Sequence, residues 1–580
     1  MLRVGNCSGF YGDRLSAMRE MLAGGDLDVL TGDYLAELTM LILGKDRMKD
    51  ASLGYARTFV RQAEDCLGLA LERGVRIVAN AGGLNPAGLA ERLREVAGGL
   101  GLGVTVAHVE GDDLLDRAEE LGLADPVLGK PLTANAYLGA FGIAAALDAG
   151  ADVVVTGRVT DASLVVGAAA SHFGWSGTSY DELAGATVAG HVLECGTQAT
   201  GGNFSGFVGQ LRLPDDRRPL GFPLAEIAAD GSSVITKHDG TGGAVTVDTV
   251  TAQLMYEIQG PTYLGPDVTT HLDTVTLTDD GPDRVRVSGV RGDAPPEQLK
   301  VCLNFFGGYR NSVEFLLTGL EADAKAAWLQ DQLRAAWGDR APATVQWTQS
   351  PPPVADASAQ ELATTRLRCT VLDPSPDVAG KGLTAPAVEL ALASYPGFTL
   401  TGVPTPASPY GVYRPAYVQR SAVEHVVVHA DGRRVPVVED PLVEPVETIS
   451  AVVSRRRSAP PRPTASARVP LGTFVHARSG DKGGDANLGL WVRNDGSTSY
   501  DDRVAWLLEL VDVATVTQLV PEAAGLDVEV HPLPHLGGVN VVLHGLLGEG
   551  VAASTRIDPQ AKALGEWVRA RLVDVPEGLL

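Results

Sequence analysis

The stretch Arg76-Ile77-Val78-Ala79-Asn80-Ala81-Gly82-Gly83-Leu84-Asn85-Pro86 decides the fold class. A short run with β-branched residues ends in a turn of small and polar residues, and a proline stands where a helix would begin. Proline suits the first helical position, where its missing N–H would have had no partner, and Asn85 before it is a natural N-cap. Strand, polar turn and helix in that order form half of a βαβ unit. The same pattern recurs outward from it. Residues 2–5 read as a strand, followed by the loop Asn6-Cys7-Ser8-Gly9-Phe10-Tyr11-Gly12-Asp13 and a helix. Residues 27–30 are a second strand, and Thr31-Gly32-Asp33 opens a helix to about residue 43. Residues 104–109 and 152–155 follow as strands, the last leading through Thr156-Gly157-Arg158-Val159-Thr160-Asp161 into a helix from Ala162. Strands alternating with helices predict an α/β domain with a mostly parallel sheet covered on both faces.

Past residue 200 the pattern changes. Residues 245–250, 271–277 and 284–290 are β-rich, 310–337 read as helical apart from Gly319, and the prolines of 351–353 and 403–415 mark loops. The expected organisation is an α/β domain over 1–453, with a β-rich elaboration or subdomain at 200–450, and a linker at 454–468. That linker is basic, proline-rich and without apolar periodicity. A small α+β domain of ferredoxin-like type follows at 469–580. Its strands are expected at 469–477, 488–492, 526–531 and 539–543, with helices at 503–510 and 559–573.

Composition narrows the function. The 580 residues carry 47 Lys and Arg against 71 Asp and Glu, a net charge of −24. Nucleic-acid binding needs a basic footprint, so it is not expected, and nothing attracts the chain to an anionic membrane. No apolar run is long enough to span a bilayer, and the opening residues carry no secretory h-region. Five scattered cysteines without a CxxC pair suit reduced thiols, so a cytoplasmic enzyme without disulfides or a zinc knuckle is expected. The first glycine loop is not G-x-G-x-x-G, and no G-x4-G-K-[S/T] occurs, which argues against a dinucleotide or P-loop site.

Ligands of an open parallel sheet bind beyond the carboxyl ends of its strands. Four loops there carry chemistry. The first offers Asn6, Ser8, Tyr11 and Asp13; the second Asp33 with Glu37 one turn on; the third Asn80 and Asn85; the last Arg158 and Asp161. The carboxylates Asp13, Asp33, Glu37 and Asp161 suit acid–base work, the amides oxygen recognition, and Arg158 a carboxylate or phosphate. The simpler reading stands beside this one: Asp33 and Asn85 as helix caps, Arg158–Asp161 as a local ion pair.

Residues 191–206 end a helix in a glycine-rich turn bearing Glu194, Cys195, Thr197, Gln198 and Asn203, suited to an anion or thioester oxygen. Cys195 reads as a nucleophile or, more simply, as inert packing. Lys237-His238-Asp239 forms a polar loop or a bare hairpin turn. Arg310 is expected at a helix start, as an anion contact. In the last domain, Arg478-Ser479-Gly480-Asp481-Lys482-Gly483-Gly484 reads as an anion nest or acid–base cluster, or as a charged surface turn. Asp481 is its candidate acid or base, and Ser479 and Lys482 are its candidate ligand contacts. This loop is expected to dock over the cleft of the first domain or of a partner subunit. His531 and His535 are separated by prolines that forbid a helix, so no metal site is assigned.

These stretches resemble the acyclic terpene utilisation family, AtuA. Arg3-Val4-Gly5-Asn6-x-Ser8-Gly9-Phe10-x-Gly12-Asp13 carries the likeness. So do Leu30-Thr31-Gly32-Asp33-Tyr34-Leu35-Ala36-Glu37, residues 80–86, Thr156-Gly157-Arg158-Val159-Thr160-Asp161-Ala162 and Glu194-Cys195-Gly196. It covers most of 1–450, and Arg478–Gly483 resembles the small ferredoxin-fold domain that accompanies the family. The resemblance implies bacterial degradation of citronellol and geraniol through acyl-CoA intermediates. It carries over no residue role. The expected function is hydration, elimination or hydrolysis of a branched acyl-CoA or related carboxylate, by a lyase or hydrolase without a cofactor. A CoA thioester is the possible substrate, and a homo-oligomer is expected. Two alternatives are kept: a non-catalytic binding or assembly subunit of an acyl-CoA-processing complex, and a phosphoanhydride hydrolase resting on the glycine-rich loops alone.

Overall fold

The computed structural model describes residues 1–211, 217–438 and 465–580. Its largest sheet has eleven strands. Five central strands run parallel, in the spatial order Leu2–Asn6, Val29–Gly32, Arg76–Ala79, Val153–Thr156 and Val106–Glu110. They are almost wholly buried, as a parallel sheet covered by helices on both faces requires. Both flanks are antiparallel. Pro223–Ile227, Ser233–Lys237, Val285–Ser288 and Thr276–Asp279 extend one side, and Val426–Val428 and Arg434–Pro436 the other. The sheet is thus partly rather than mostly parallel, because much of the β-rich elaboration joins the first sheet.

The rest of that elaboration is built on one 21-residue strand, Gln298–Thr318. Its first half pairs with Ser408–Gln419 and with Thr133–Ala136, and its second half with Thr364–Asp373. This overturns the helix expected from residue 310. Val313, Phe315 and Leu317 alternate inward onto the helix Ala322–Trp337, and ten consecutive partners hold the register. Only the part beyond Gly319 is helical. Nor is 403–415 wholly a loop. From Ser408 it is a strand, and Pro409 and Pro415 sit in it because it lies at the sheet's edge. Residues expected as strand at 245–250 instead start the helix Val247–Leu254. Thr246 and Thr249 cap each other reciprocally at 3.2 and 2.9 Å, which outweighs the β-branched composition.

The small domain has an antiparallel sheet in the order Val475–Lys482, Asp485–Val492, Gly538–Leu543 and Val528–Leu533, packed on helices that include Tyr500–Leu510. Two corrections apply. The closing helix is only Leu564–Arg569, because the following strand Leu572–Pro576 pairs with Ser466–Pro470. The Arg478–Lys482 stretch is not a loop but the end of a strand, turned back by Gly483-Gly484. The expected linker lies, up to residue 464, outside the described residues, and its last positions belong to the strand Ser466–Pro470.

The small domain rests on the large one of the same chain. Asp248, at the start of the helix Val247–Leu254, accepts from Trp491 Nε1 at 3.1 Å. Arg310 donates to the Ala552 carbonyl at 2.6 Å. Among the described residues no helix is long and apolar enough to cross a membrane.

Candidate active site between the domains

Between the two domains lies a cleft of about 1650 Å³. The carboxyl ends of the parallel strands form its floor, and the small domain supplies one wall. Asp13, Asp33, Glu37, Arg158, Asp161, Glu194, Asn203, Asp481 and Lys482 all line it. The sheet explains the first group: parallel strands deliver every strand-to-helix turn to the same edge.

The remaining sequence candidates serve the frame. Asn6 donates to the Leu193 and Glu194 carbonyls at 2.7 and 3.2 Å, pinning the end of the helix Tyr180–Glu194. Ser8 Oγ bonds the Phe10 carbonyl. Asn80 stands behind Asp33: its Nδ2 donates to Asp33 Oδ1 at 2.6 Å, and its Oδ1 accepts from the Tyr34 N–H at 2.7 Å. Asn85 caps its helix by accepting from the Gly88 N–H at 2.9 Å. Ser479 is buried between the Ala561 carbonyl and the Gly565 N–H. Arg310 lies on a strand, so the helix-start rationale for it fails. Its guanidinium is spent on the Ala552 and Ser554 carbonyls. Lys237 reaches the Thr241 carbonyl and Asp283, and His238 the Met21 carbonyl, so that loop is a structural tie. His535 meets the Leu272 carbonyl and His531 meets Glu529, so the two histidines do not act as a metal pair.

Asp33 is not a helix cap. The helix after it begins only at Glu37, and Asp33 Oδ1 accepts from the Leu35 N–H and from Asn80. Arg158, 2% exposed, pairs with Asp161, donates to the Leu35 carbonyl at 3.2 Å and lies 4.4 Å over the Tyr137 ring. This ion pair was legible as a local one, but its burial in the cleft was not.

Several lining groups carried no strand-end signal. Lys300 comes from the long strand, with its ammonium 5.1 Å from the Tyr137 ring. Its signal was a lone cation inside the apolar run Leu299-Lys300-Val301-Cys302-Leu303. Tyr256 and Glu257 follow the helix Val247–Leu254, and Glu257 sits at φ +56°. Such a backbone is strained for a non-glycine residue and persists only where its surroundings hold it. The hold comes from the small domain, where Asn487 Oδ1 accepts the Glu257 N–H at 2.7 Å. Lys562, also from the small domain, donates to the Tyr256 hydroxyl and stands 3.6 Å from Glu257. Arg478 stacks on the Tyr256 ring at 4.1 Å and donates to Gln198 and to the Asn203 carbonyl.

The enclosed charges sort themselves into two states. Burial, with the charge of Asp161, pushes Asp33 and Glu194 well above the usual carboxylate range. Burial and neighbouring carboxylates bring Glu257 and Asp481 up to about 8. Glu37 goes the other way. Burial alone would raise it, but Lys300, Lys482 and Arg158 hold it below its usual range. Burial opposes the charge of Lys482, yet Tyr263, Glu257, Glu37 and Glu194 keep its pKa above normal. Cys195 is pushed up by burial and by Glu194, so it is a thiol rather than a ready nucleophile. At neutral pH the cleft thus holds Glu37 ionised beside the Arg158–Asp161 ion pair, together with protonated carboxyls and buried cations.

This has a consequence for stability. Between the ordinary carboxylate range and about pH 8, the unfolded chain has released the Glu257 and Asp481 protons while the folded chain keeps them. Stability therefore falls as pH rises across that interval, by at most ~1.4 kcal/mol per pH unit and group. The melting temperature of Asp481→Asn and of Glu257→Gln is expected to depend less on pH than that of the wild type. Parallel curves for variants and wild type in differential scanning calorimetry would refute this.

Comparison with known families agrees with the architecture. The model of the AtuA ferredoxin-like domain matches residues 469–574. Comparison with curated proteins and with solved structures gives no match. The model described as acyclic terpene utilisation family protein AtuA matches residues 2–429, which include ten of the sheet's eleven strands and every large-domain residue of the cleft floor, and the chain therefore belongs to that family.

Proposed function

We propose that this chain is a cytoplasmic enzyme that adds or removes water on a branched acyl chain held as a CoA thioester or related carboxylate. Family membership suggests a part in acyclic terpene utilisation, and acyclic terpenes are branched chains. The observation that carries the reading is the pairing of opposite protonation states in one cleft. Glu37 is ionised and ready to take a proton, while carboxyls held neutral by burial can give one. Free, mostly buried cysteines suit a reducing compartment.

In hydration, Glu37 takes a proton from water as its oxygen bonds to the β-carbon of an enoyl chain. The electron pair moves toward the acyl oxygen, where Lys300, Lys482 and Arg158 stabilise the developing charge. The electron pair returns to the α-carbon, where a neutral carboxyl supplies a proton, and elimination is the reverse. The cleft volume of about 1650 Å³ exceeds the ~300–1,000 Å³ of most small-ligand sites, which supports a substrate as large as a CoA thioester. A purely assembling subunit would gain nothing from buried charged groups turned into a cleft.

The test is incubation with a panel of branched enoyl- and hydroxyacyl-CoA thioesters and the free acids, followed by mass spectrometry. The expected result is gain or loss of one water on at least one member. Neither turnover nor binding across the panel would sink the proposal.

A further inference from the structure

His191 and Glu194 sit three residues apart on the helix Tyr180–Glu194, so their side chains share a face. His191 Nδ1 lies 3.0 Å from Glu194 Oε1, and the residues are 3% and 9% exposed. The other carboxyl oxygen, Oε2, is buried and has no hydrogen-bond partner among the described residues, although Glu194 lines the cleft. A buried carboxyl oxygen without a donor is costly when charged and much less so when it carries a proton. Asn6 donates to the backbone carbonyls of Glu194 and Leu193 and so fixes the helix end that carries Glu194.

We infer that His191 and Glu194 act as one proton-donating unit: neutral His191 is the positioning residue that bonds Oε1, and Glu194 presents a proton on Oε2 to the α-carbon of the ligand. The inference rests on the acid–base reading above and names its acid. The groups facing the pair agree. Burial and Asp161 disfavour a negative charge on Glu194 against the pull of Lys482 and Arg158, and burial with Lys482 lowers His191 to about 4 against Glu257 and Asp161, so the imidazole is neutral. In the transfer the Oε2–H bond breaks as a C–H bond forms at the α-carbon of the ligand. The carboxylate left behind is stabilised by the His191 N–H, Lys482 and Arg158. The proton that Glu37 took from water is released to solvent, and solvent reprotonates Glu194.

Infrared difference spectroscopy of the full-length protein at neutral pH tests this without turnover. Subtracting Glu194→Gln from wild type should reveal one protonated-carboxyl C=O band. His191→Leu should move that band to higher frequency by removing the bond to Oε1, and His191→Asn, which keeps a donor, should restore it in part. If Glu194→Gln removes a carboxylate band instead, Glu194 is ionised and the inference fails. If neither histidine variant moves the band, His191 is mere packing and the unit is refuted. Adding 3-methylbut-2-enoyl-CoA should shift the Glu194 band. Binding without a shift overturns delivery to the ligand, whereas no binding counts against the acyl ligand and leaves the unit intact.

Discussion

Replacing Gly480 or Gly489 by valine is expected to lift the small domain off the cleft while leaving both domains folded. These glycines lie on adjacent strands, Val475–Lys482 and Asp485–Val492, and face residues 255–257 of the large domain. A Cβ at Gly480 would stand 2.4 Å from the Tyr256 ring and 3.0 Å from Glu257 Cγ. One at Gly489 would stand 2.6 Å from Met255 Cβ and 2.9 Å from its carbonyl oxygen. The ring cannot yield, because Arg478 stacks on it and Lys562 holds its hydroxyl. Overpacking of this kind costs about 1–3 kcal/mol, which weakens docking roughly 5- to 150-fold.

The folded state of each domain survives because the small domain has its own core, built from Leu471, Leu488, Leu490, Leu507, Val541 and their neighbours. Only Trp491, Leu533, Leu536 and Ala553 pack into the core of the large domain. Small-angle scattering should show a larger radius of gyration, and amide exchange should speed up at 255–258. Lys482, Asp481 and Lys562 leave the cleft in the same movement, so ligand affinity falls with docking. Unchanged scattering and exchange in both variants would show that the contact is not the one holding the domains together.

The second large effect is on chemistry. Glu37→Gln keeps the shape of the side chain and removes the carboxylate that Lys300, Lys482 and Arg158 hold ionised, so turnover is expected to fall by about 10²–10⁴-fold with KM nearly constant. The pH profile should identify the cause. Lys300 does most to hold Glu37 below its usual range, so wild-type activity should persist to lower pH than an ordinary carboxylate base allows. Without the Lys300 charge the Glu37 proton binds more tightly. In Lys300→Met the acidic limb of kcat should therefore move to higher pH, toward the usual carboxylate range. An acidic limb that stays in place in Lys300→Met would mean that another group is the base. Turnover undiminished in Glu37→Gln would remove Glu37 from the mechanism.

How much of this was readable in the sequence follows from the range over which each determinant acts. Asn85 and Pro86 cap a helix through contacts three residues long, and the turn at 80–86 reads correctly from its own residues. Once five strands are parallel, chain direction alone puts Asp13, Asp33, Arg158 and Asp161 at one edge, so half of the cleft followed from local pattern. Where a segment's fate depends on a distant partner, local pattern misleads. Residues 310–318 satisfy helical and extended spacing alike, and pairing with Thr364–Asp373 decides between them. The strand Leu572–Pro576 cuts short the closing helix for the same reason, its partner lying about a hundred residues earlier.

The protonation states are the most remote from sequence. Lys300, Glu257 and Lys482 come from a long strand, a helix end and a second domain, and nothing in their own neighbourhoods draws them together. What holds Glu37 ionised and Glu194 protonated is burial together with Lys300, Arg158 and Asp161 of the large domain and Lys482 of the small one, which only the tertiary fold gathers. The sequence by itself determined the layered α/β core, the shared edge of its loops and the family. Tertiary structure alone decided which edge residues are enclosed, and so which of them carry a charge, because desolvation and Coulomb interaction depend on distance in space rather than along the chain.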